Sequence, residues 1–413
     1  MEPMSQNAQF LTNKAPPPRR VGFRDLLAPM TPEEFLDGYF DRKPLHLPGS
    51  ADRFAEVFSW DRATALLDMT TLWSASTLKV VLNGKLARPE EYCRPQQNRD
   101  GAPIAQPDPR KVQALIRKGA TISLNMVETM SPEIAAVAAA LQCWFDGETV
   151  CNIYCSWGGY QGFSSHFDFH DVFVLQIDGT KTWNIYEGQF DQAANIAGYR
   201  SDSFPDDYTA KARGAVAMEA TMTPGDVLYI PRGRYHDALA TSEATLHLTF
   251  GVEFMSGCYF LGAIADALQQ DRFFRQPLPR FDTSDAHRKH LQTLADRVHT
   301  YMLEPGVARG IREQQRHRAF AHCFPGYALP SATPPRLFRV RALRTQLVRR
   351  GPGWRLEWPN GAQELTADEA KLAEWLLKQD FVTADEAVAA LGDTLPVPAL
   401  LERLSAVGLI DAI

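Results

Sequence analysis

Between about residues 150 and 252 the chain breaks into short stretches rich in β-branched and aromatic residues, NIYCSW, DVFVLQI, TKTWNIY and DVLYIP, parted by Gly, Pro and Asp. Runs this short suit strands rather than helices, so the region reads as an all-β core. Inside it, HFDFHDVFVLQIDGTKTW at 166–183 places His166, Asp168, His170 and Asp171 at the head of an otherwise apolar strand. Asp178-Gly179 is a strong signal for a two-residue hairpin loop. That register sets Gln176 opposite Lys181, and an unbroken even-numbered alternation turns both toward the side of His166 and Asp168.

The flanks differ. Residues 1–22, with Pro16-Pro17-Pro18 and two arginines, form a polar tail, and order is expected to begin near Phe23. Thr31-Pro32-Glu33-Glu34 has the cap, proline and early acids of a helix start. Helical patterns recur near 61–68 and 132–144. After Gly251 the strands give way to SGCYFLGAIADALQQDRFF, HRKHLQTLADRVHTYML and VARGIREQQRHRAF, a helical unit over 256–330. SATPP at 331–335 punctuates the chain before a unit at 336–413. There LTADEAKLAEWLLKQ and VTADEAVAALG each open with a capping box, Thr366/Glu369 and Thr383/Glu386, and a further helix stops at Gly408. Short helices behind the strand-like WRLEW suggest a winged-helix-like module.

Formal charge is −6 with 45% hydrophobic residues, so the chain can bury a real core and nothing in its overall balance calls for nucleic acid. Six cysteines lack a CxxC pair, which suits a reducing compartment, and Cys151 and Cys155 read as packing residues. The first twenty residues carry no signal-peptide core, and no run of about 18 apolar residues occurs, so the expectation is a soluble, cytoplasmic protein without a membrane segment.

An iron(II) centre of the facial type needs two imidazoles and one carboxylate, leaving three positions open. His166 and Asp168, two apart in an extended segment, supply two ligands from one side. For the third, MTPGDVLYIPRGRYH presents His236 at a strand edge, while His170 competes for the same role but crowds three ligands onto one short stretch. His236 is therefore favoured. A lone HxD triplet arises by chance, and single strand histidines usually pack; His247 fits that description, as a satisfied histidine near the same sheet. A dianionic co-substrate such as 2-oxoglutarate needs a cation for its far carboxylate, and Lys181 is the candidate.

At these residues the chain resembles the JmjC-type 2-oxoglutarate oxygenases, and within them the ribosomal oxygenases. The resemblance is carried by NIYCSWGGYQGFSSHFD at 152–168, FVLQIDGTKTWNIY at 173–186, PGDVLYIPRGRYH at 224–236 and HLTFGV at 247–252, and extends to EEFLDGYFDRKPLHLPG near the start. It implies an α+β fold: a double-stranded β-helix of jelly-roll or cupin type over 23–255, then a helical linker and dimerisation domain, then the winged-helix-like domain. It implies Fe(II), 2-oxoglutarate and O2 as cofactor and co-substrates, with His166, Asp168 and His236 as iron ligands and Lys181 on the 2-oxoglutarate carboxylate. By the same resemblance Thr249 assists Lys181, and Asn152 and Tyr154 line the substrate side. His170, Asp171 and Cys155 depart from the residues usual in relatives.

The implied activity is protein hydroxylation, on a histidine or arginine of a ribosomal protein or another peptide. The competing activities are N-methyl-lysine demethylation by the same chemistry, and a non-catalytic cupin-type binding or scaffold role. A homodimer is implied through the helical unit. Arg336, Arg339, Arg341, Arg344, Arg349 and Arg350 form a basic segment, but Asp368, Glu369, Asp385 and Glu386 at the helix starts argue against phosphate docking, so direct nucleic-acid binding is not expected.

Overall fold

The computed structural model describes residues 20–97, 100–158, 162–194, 204–280, 284–320, 336–351, 353–359, 361–392 and 395–412. Most of the expected tail at 1–22, and the SATPP segment, lie outside these. Two short helices lead, α1 (Phe23–Leu27) and α2 (Pro32–Gly38). The second starts as its sequence demands: the Thr31 hydroxyl accepts the Glu34 N–H at 3.2 Å, and the Glu34 carboxylate accepts the Thr31 N–H at 2.8 Å. Next come β1 (Leu45–Leu47), α3 (Trp60–Asp68), β2 (Leu78–Leu82), β3 (Lys85–Leu86), α4 (Pro89–Tyr92), the pair β4 (Cys93–Gln97) and β5 (Pro103–Pro107), α5 (Pro109–Ile116), β6 (Thr121–Asn125) and α6 (Pro132–Phe145).

The β-rich heart follows: β7 (Glu148–Trp157), β8 (Asp171–Asp178), β9 (Lys181–Gln189), α7 (Asp206–Ala212), β10 (Val216–Met222), β11 (Val227–Ile230), β12 (Arg234–Ala240) and β13 (Ala244–Glu253). Its strands divide between an eight-stranded sheet, ordered β1-β11-β8-β13-β7-β6-β2-β3, and a three-stranded sheet, β10-β9-β12. These face each other as a jelly roll.

Strand alternation assigns each side chain to one of two cores. On β7, Cys151, Ile153 and Cys155 point outward to the helices, as do Leu246, Leu248, Phe250 and Val252 on β13. On β8, Phe173 and Leu175 join that outer core, while Val172 and Val174 turn inward to meet Trp183 and Ile185 of β9 and Met222 of β10. Being buried on both faces explains why DVFVLQI lacks polar alternation. The outer core is knitted by rings: Phe23 lies 5.1 Å from Phe145, Phe35 4.8 Å from Tyr229, and Phe145 5.9 Å from Phe173.

Helix α6 is buried over ten consecutive residues, Ile134 to Cys143, because it has neighbours on two sides. Ile134, Val137, Ala138 and Leu141 pack on the outer core, and Ala136, Ala139, Ala140 and Cys143 pack on Phe381 and Leu337 of the last unit. That unit comprises β14 (Leu337–Val340), β15 (Gln346–Arg350), β16 (Gly353–Trp358), β17 (Gly361–Leu365), α11 (Ala367–Leu376), β18 (Phe381–Thr383), α12 (Ala384–Leu391), α13 (Val397–Ala406) and β19 (Ile410–Ala412). Both capping boxes form. Asp380 pins it down, accepting the Trp144 indole N–H at 2.7 Å and the Phe23 backbone N–H. Arg339 pairs with Asp146, Arg341 with Asp411, Arg344 with Asp37 and Arg350 with Glu357. The basic segment is thus largely occupied by internal acids.

Between the two lie α8 (Gly257–Leu268), α9 (Ser284–Met302) and α10 (Pro305–Phe320), and none of the residues of α9 is buried. No helix among the described residues is long and apolar enough to cross a membrane. Cys93, Cys143, Cys151 and Cys155 are buried.

The expected hairpin between residues 175 and 183 does not form. Gly179 makes its turn, with φ of +68°, but β8 pairs with β11 and β13 whereas β9 pairs with β10 and β12. The turn is a corner between sheets. A second corner clasps it: the Thr180 N–H donates to Ser242 Oγ at 2.7 Å, and the Thr241 N–H to the Thr180 carbonyl at 3.0 Å. A turn signal read from two residues cannot distinguish these outcomes, since both need the same local backbone. A Cβ on Gly179 would sit 2.0 Å from the Ala244 carbonyl oxygen. Gly179→Ala should therefore cost on the order of 1–3 kcal/mol, read as a lower denaturant midpoint at unchanged slope; an unmoved midpoint would contradict this corner.

Candidate metal centre

His166 and His236 come from segments far apart in sequence, yet they form an isolated antiparallel bridge. The His166 N–H donates to the His236 carbonyl at 3.0 Å and the His236 N–H to that of His166 at 2.8 Å, while the Gly233 N–H donates to the Asp168 carbonyl at 2.8 Å. Backbone pairing therefore aligns all three side chains, with the two rings 4.5 Å apart. His166 Nδ1 lies 2.7 Å from the Ser164 carbonyl and His236 Nδ1 2.9 Å from that of Arg234. A carbonyl only accepts, so each Nδ1 carries a proton and Nε2 is the ring nitrogen left for a metal. His236 Nε2 stands 3.5 Å from the Asp168 carboxylate. One donor atom from each of the three lies within 4.8 Å of the others, an arrangement able to hold a metal ion.

The electrostatics agree with ligation. Burial, then the neighbouring charge of His166, lowers the His236 pKa to about 4, keeping the imidazole neutral. Burial acts to raise the Asp168 carboxyl, but His170, His166 and His236 outweigh it and hold it below its ordinary value. Two imidazoles and a carboxylate make a donor set suited to iron(II), and they line a cavity of about 90 Å³.

That cavity is walled by alternate residues. Asn152 and Tyr154 of β7 pair with Thr249 and His247 of β13, and Lys181 and Trp183 reach in from β9. Lys181 thus lies with the triad, though not for the reason the alternation offered: the chain bends between Asp168 and Asp171, and Gln176 turns away to bond Thr245 at 2.7 Å. Lys181 is 5% exposed, donates to Ser156 Oγ at 3.3 Å, and has no carboxylate partner among the described residues. Thr121 donates to the same Ser156 oxygen at 3.1 Å. Thr249 Oγ1 is buried without a partner. A buried cation and an orphaned hydroxyl on one cavity are what an anionic ligand would complete.

Asn152 lines the cavity, but its Oδ1 also accepts the Met126 N–H at 3.3 Å, a strut for the left-handed Met126. Tyr154 lies flat on His247, centroids 5.0 Å apart at 9°. His170 lines the cavity against Gly251, where a Cβ would meet its ring at 2.7 Å. Cys155 faces the outer core, its thiol pushed up to about 12 by burial. His247 is not the satisfied residue expected: it is 1% exposed and its Nδ1 has no partner. Trp183 and Ser156 escaped the sequence reading, although each lies on the cavity face by parity, two beyond Lys181 and two beyond Tyr154.

Residues 125–258 match the JmjC domain family. The chain is 27% identical over 263 residues to the bifunctional lysine-specific demethylase and histidyl-hydroxylase NO66 of Dictyostelium discoideum, covering 62% of this chain and 48% of that protein. It is 29% identical over 265 residues to ribosomal oxygenase 1 of Gallus gallus, covering 62% of this chain and 42% of the relative. The chain therefore spans under half the length of these two. The structure of the Escherichia coli ribosomal oxygenase YcfD in complex with cobalt and 2-oxoglutarate aligns over 93% of this chain and 98% of that one, with a TM-score of 0.50 at 16% identity, a likeness of fold. The JmjC match ends beyond β13, so it spans the triad, Lys181 and Thr249 together.

Burial lowers the Lys181 pKa to about 7 from its ordinary value near 10.5, with a counter-effect from Cys155. In the ligand-free protein the folded state sheds this proton before the unfolded state does, so stability should rise with pH from about 7 to 10. Lys181→Met should raise the melting temperature most below pH 7, by about 2–4 °C per kcal/mol recovered, with the gain shrinking toward pH 10. A variant less stable than wild type at pH 6 would contradict an unpaired buried ammonium.

Proposed function

We propose that this protein is an Fe(II)- and 2-oxoglutarate-dependent protein hydroxylase. The convergence of His166, Asp168 and His236 within 4.8 Å beside a buried Lys181 that has no carboxylate partner among the described residues carries the proposal. Iron(II) held by those three residues, with 2-oxoglutarate and O2, supplies oxidative decarboxylation of the keto acid to succinate and CO2, coupled to insertion of one oxygen atom into a substrate C–H bond.

The chain's own part is placement and exclusion of water. Ser164 and Arg234 carbonyls hold the ligand imidazoles in one tautomer and orientation. Lys181, aimed by Ser156, neutralises the far carboxylate of the keto acid, and Thr249 gives it a hydroxyl. Val150, Val172 and Ala238 supply apolar parts of the wall. Asn152 and Tyr154 border the side from which a substrate side chain enters.

A histidine or arginine of a ribosomal protein is the substrate class proposed; relatives named histidyl-hydroxylase and ribosomal oxygenase support a histidine and a ribosomal target. A second copy of the chain is the partner proposed for the helical unit, where α9 buries none of its residues and Leu261, Leu291 and Leu303 are exposed. Scattered cysteines without a CxxC pair favour the cytoplasm as its compartment.

Asp168→Ala should weaken cobalt binding by more than about 100-fold and reduce iron-dependent succinate formation from 2-oxoglutarate to background. Wild-type protein incubated with ribosomal peptides should add one oxygen mass. Formaldehyde release from methyl-lysine peptides would select demethylation instead, and wild-type protein without succinate formation on any peptide would leave a binding role.

A further inference from the structure

His247 sits on the inner face of β13, two residues before Thr249, and is paired across the ladder with Tyr154. Its ring is clamped: Tyr154 stacks on one side at 5.0 Å, and Trp183 meets it edge to face at 5.6 Å and 82°. The imidazole is 1% exposed, and Nδ1 is buried without a hydrogen-bond partner among the described residues. A buried, unmet nitrogen costs about 1–3 kcal/mol, and a phenyl ring would fill the same aromatic slot without that cost. The orphan also has company. Thr249 Oγ1, on the same strand face, is equally unmet, and Lys181 faces both residues across one cavity without a counter-ion among the described residues. Burial, then the charge of Lys181, holds the His247 pKa well below its ordinary value, so the ring stays neutral and can donate one N–H without adding a second cation.

We propose that His247 is a third hydrogen-bonding group for the distal carboxylate of the keto-acid co-substrate, acting beside Lys181 and Thr249. The inference rests on the function proposed above. A carboxylate has about four lone-pair directions, and Lys181 with Thr249 meets only part of them. An imidazole fixed between two aromatic rings supplies a further donor at little entropic cost. The same clamp makes His247 a positioning residue: it touches the end of the keto acid remote from the metal and sets how far the molecule reaches toward His166, Asp168 and His236.

The test compares two ligands on cobalt-loaded protein, by calorimetry: 2-oxoglutarate, and 2-oxopentanoate, which keeps the keto-acid end but lacks the distal carboxylate. His247→Phe should weaken 2-oxoglutarate by about tenfold to a hundredfold and leave 2-oxopentanoate and cobalt affinity unchanged. His247→Asn, which retains an N–H, should recover part of the loss. The ligand-free His247→Phe protein should melt no lower than wild type, since it removes an unmet polar atom. Equal weakening of both keto acids, or a lower melting temperature with unchanged selectivity, would assign His247 a packing role and overturn the inference. Wild-type protein that binds cobalt but discriminates neither keto acid would instead overturn the function on which it rests.

Discussion

Two backbone hydrogen bonds exchanged by His166 and His236 set the positions of the whole site. Each contributes only about 0.5–1.5 kcal/mol net, so their importance is geometric. The chain between them contains β8, β9, α7, β10 and β11, so the bridge joins segments that only the two-sheet arrangement brings together. Because the rings are then tied through Nδ1 to carbonyls of Ser164 and Arg234, no rotamer search remains when a metal arrives. The site is a consequence of the sandwich, and it has no independent stability to fall back on.

The interior of the sandwich changes character along its length. Val174, Ile185, Met222 and Leu228 fill one region with hydrocarbon, whereas His247 and Thr249 bring unmet polar atoms, and Lys181 a cation without a carboxylate partner among the described residues, into another. Buried charge without a partner is destabilising, and a chain selected for stability alone would replace Lys181 by methionine or leucine. The cost is carried by the outer core, where α1, α2, α6 and the odd residues of β8 interlock through aromatic rings. Strain at the cavity and excess packing outside it are two halves of one arrangement.

What the sequence disclosed follows the range of its signals. Capping boxes at Thr31, Thr366 and Thr383 are local, so three or four residues suffice to place those helix starts. The triad was legible because HxD and His236 are chemically distinctive. Lys181 was placed correctly through a wrong register, since Gly179 signals a turn but not which strands that turn will join. His247 looked ordinary because satisfaction is decided by neighbours from β7 and β9, and no single strand encodes them. Trp183 and Ser156 were within reach of parity; they went unread because neither is titratable.

The C-terminal unit bears on the site through α6 rather than through any contact with the cavity. One face of α6 supports the outer core beneath β7 and β8, and the other receives Phe381 and Leu337. Asp380 ties both to α1, its carboxyl raised by burial and drawn back by the Trp144 and Phe23 donors. Arg339, Arg341, Arg344 and Arg350 each pair with an acid of this same chain, but exposed pairs such as Arg344–Asp37 contribute only about 0–1 kcal/mol. Covering α6 matters more, because the apolar stripe of alanines on its second face must be buried by something, and the unit that follows in the chain is what buries it.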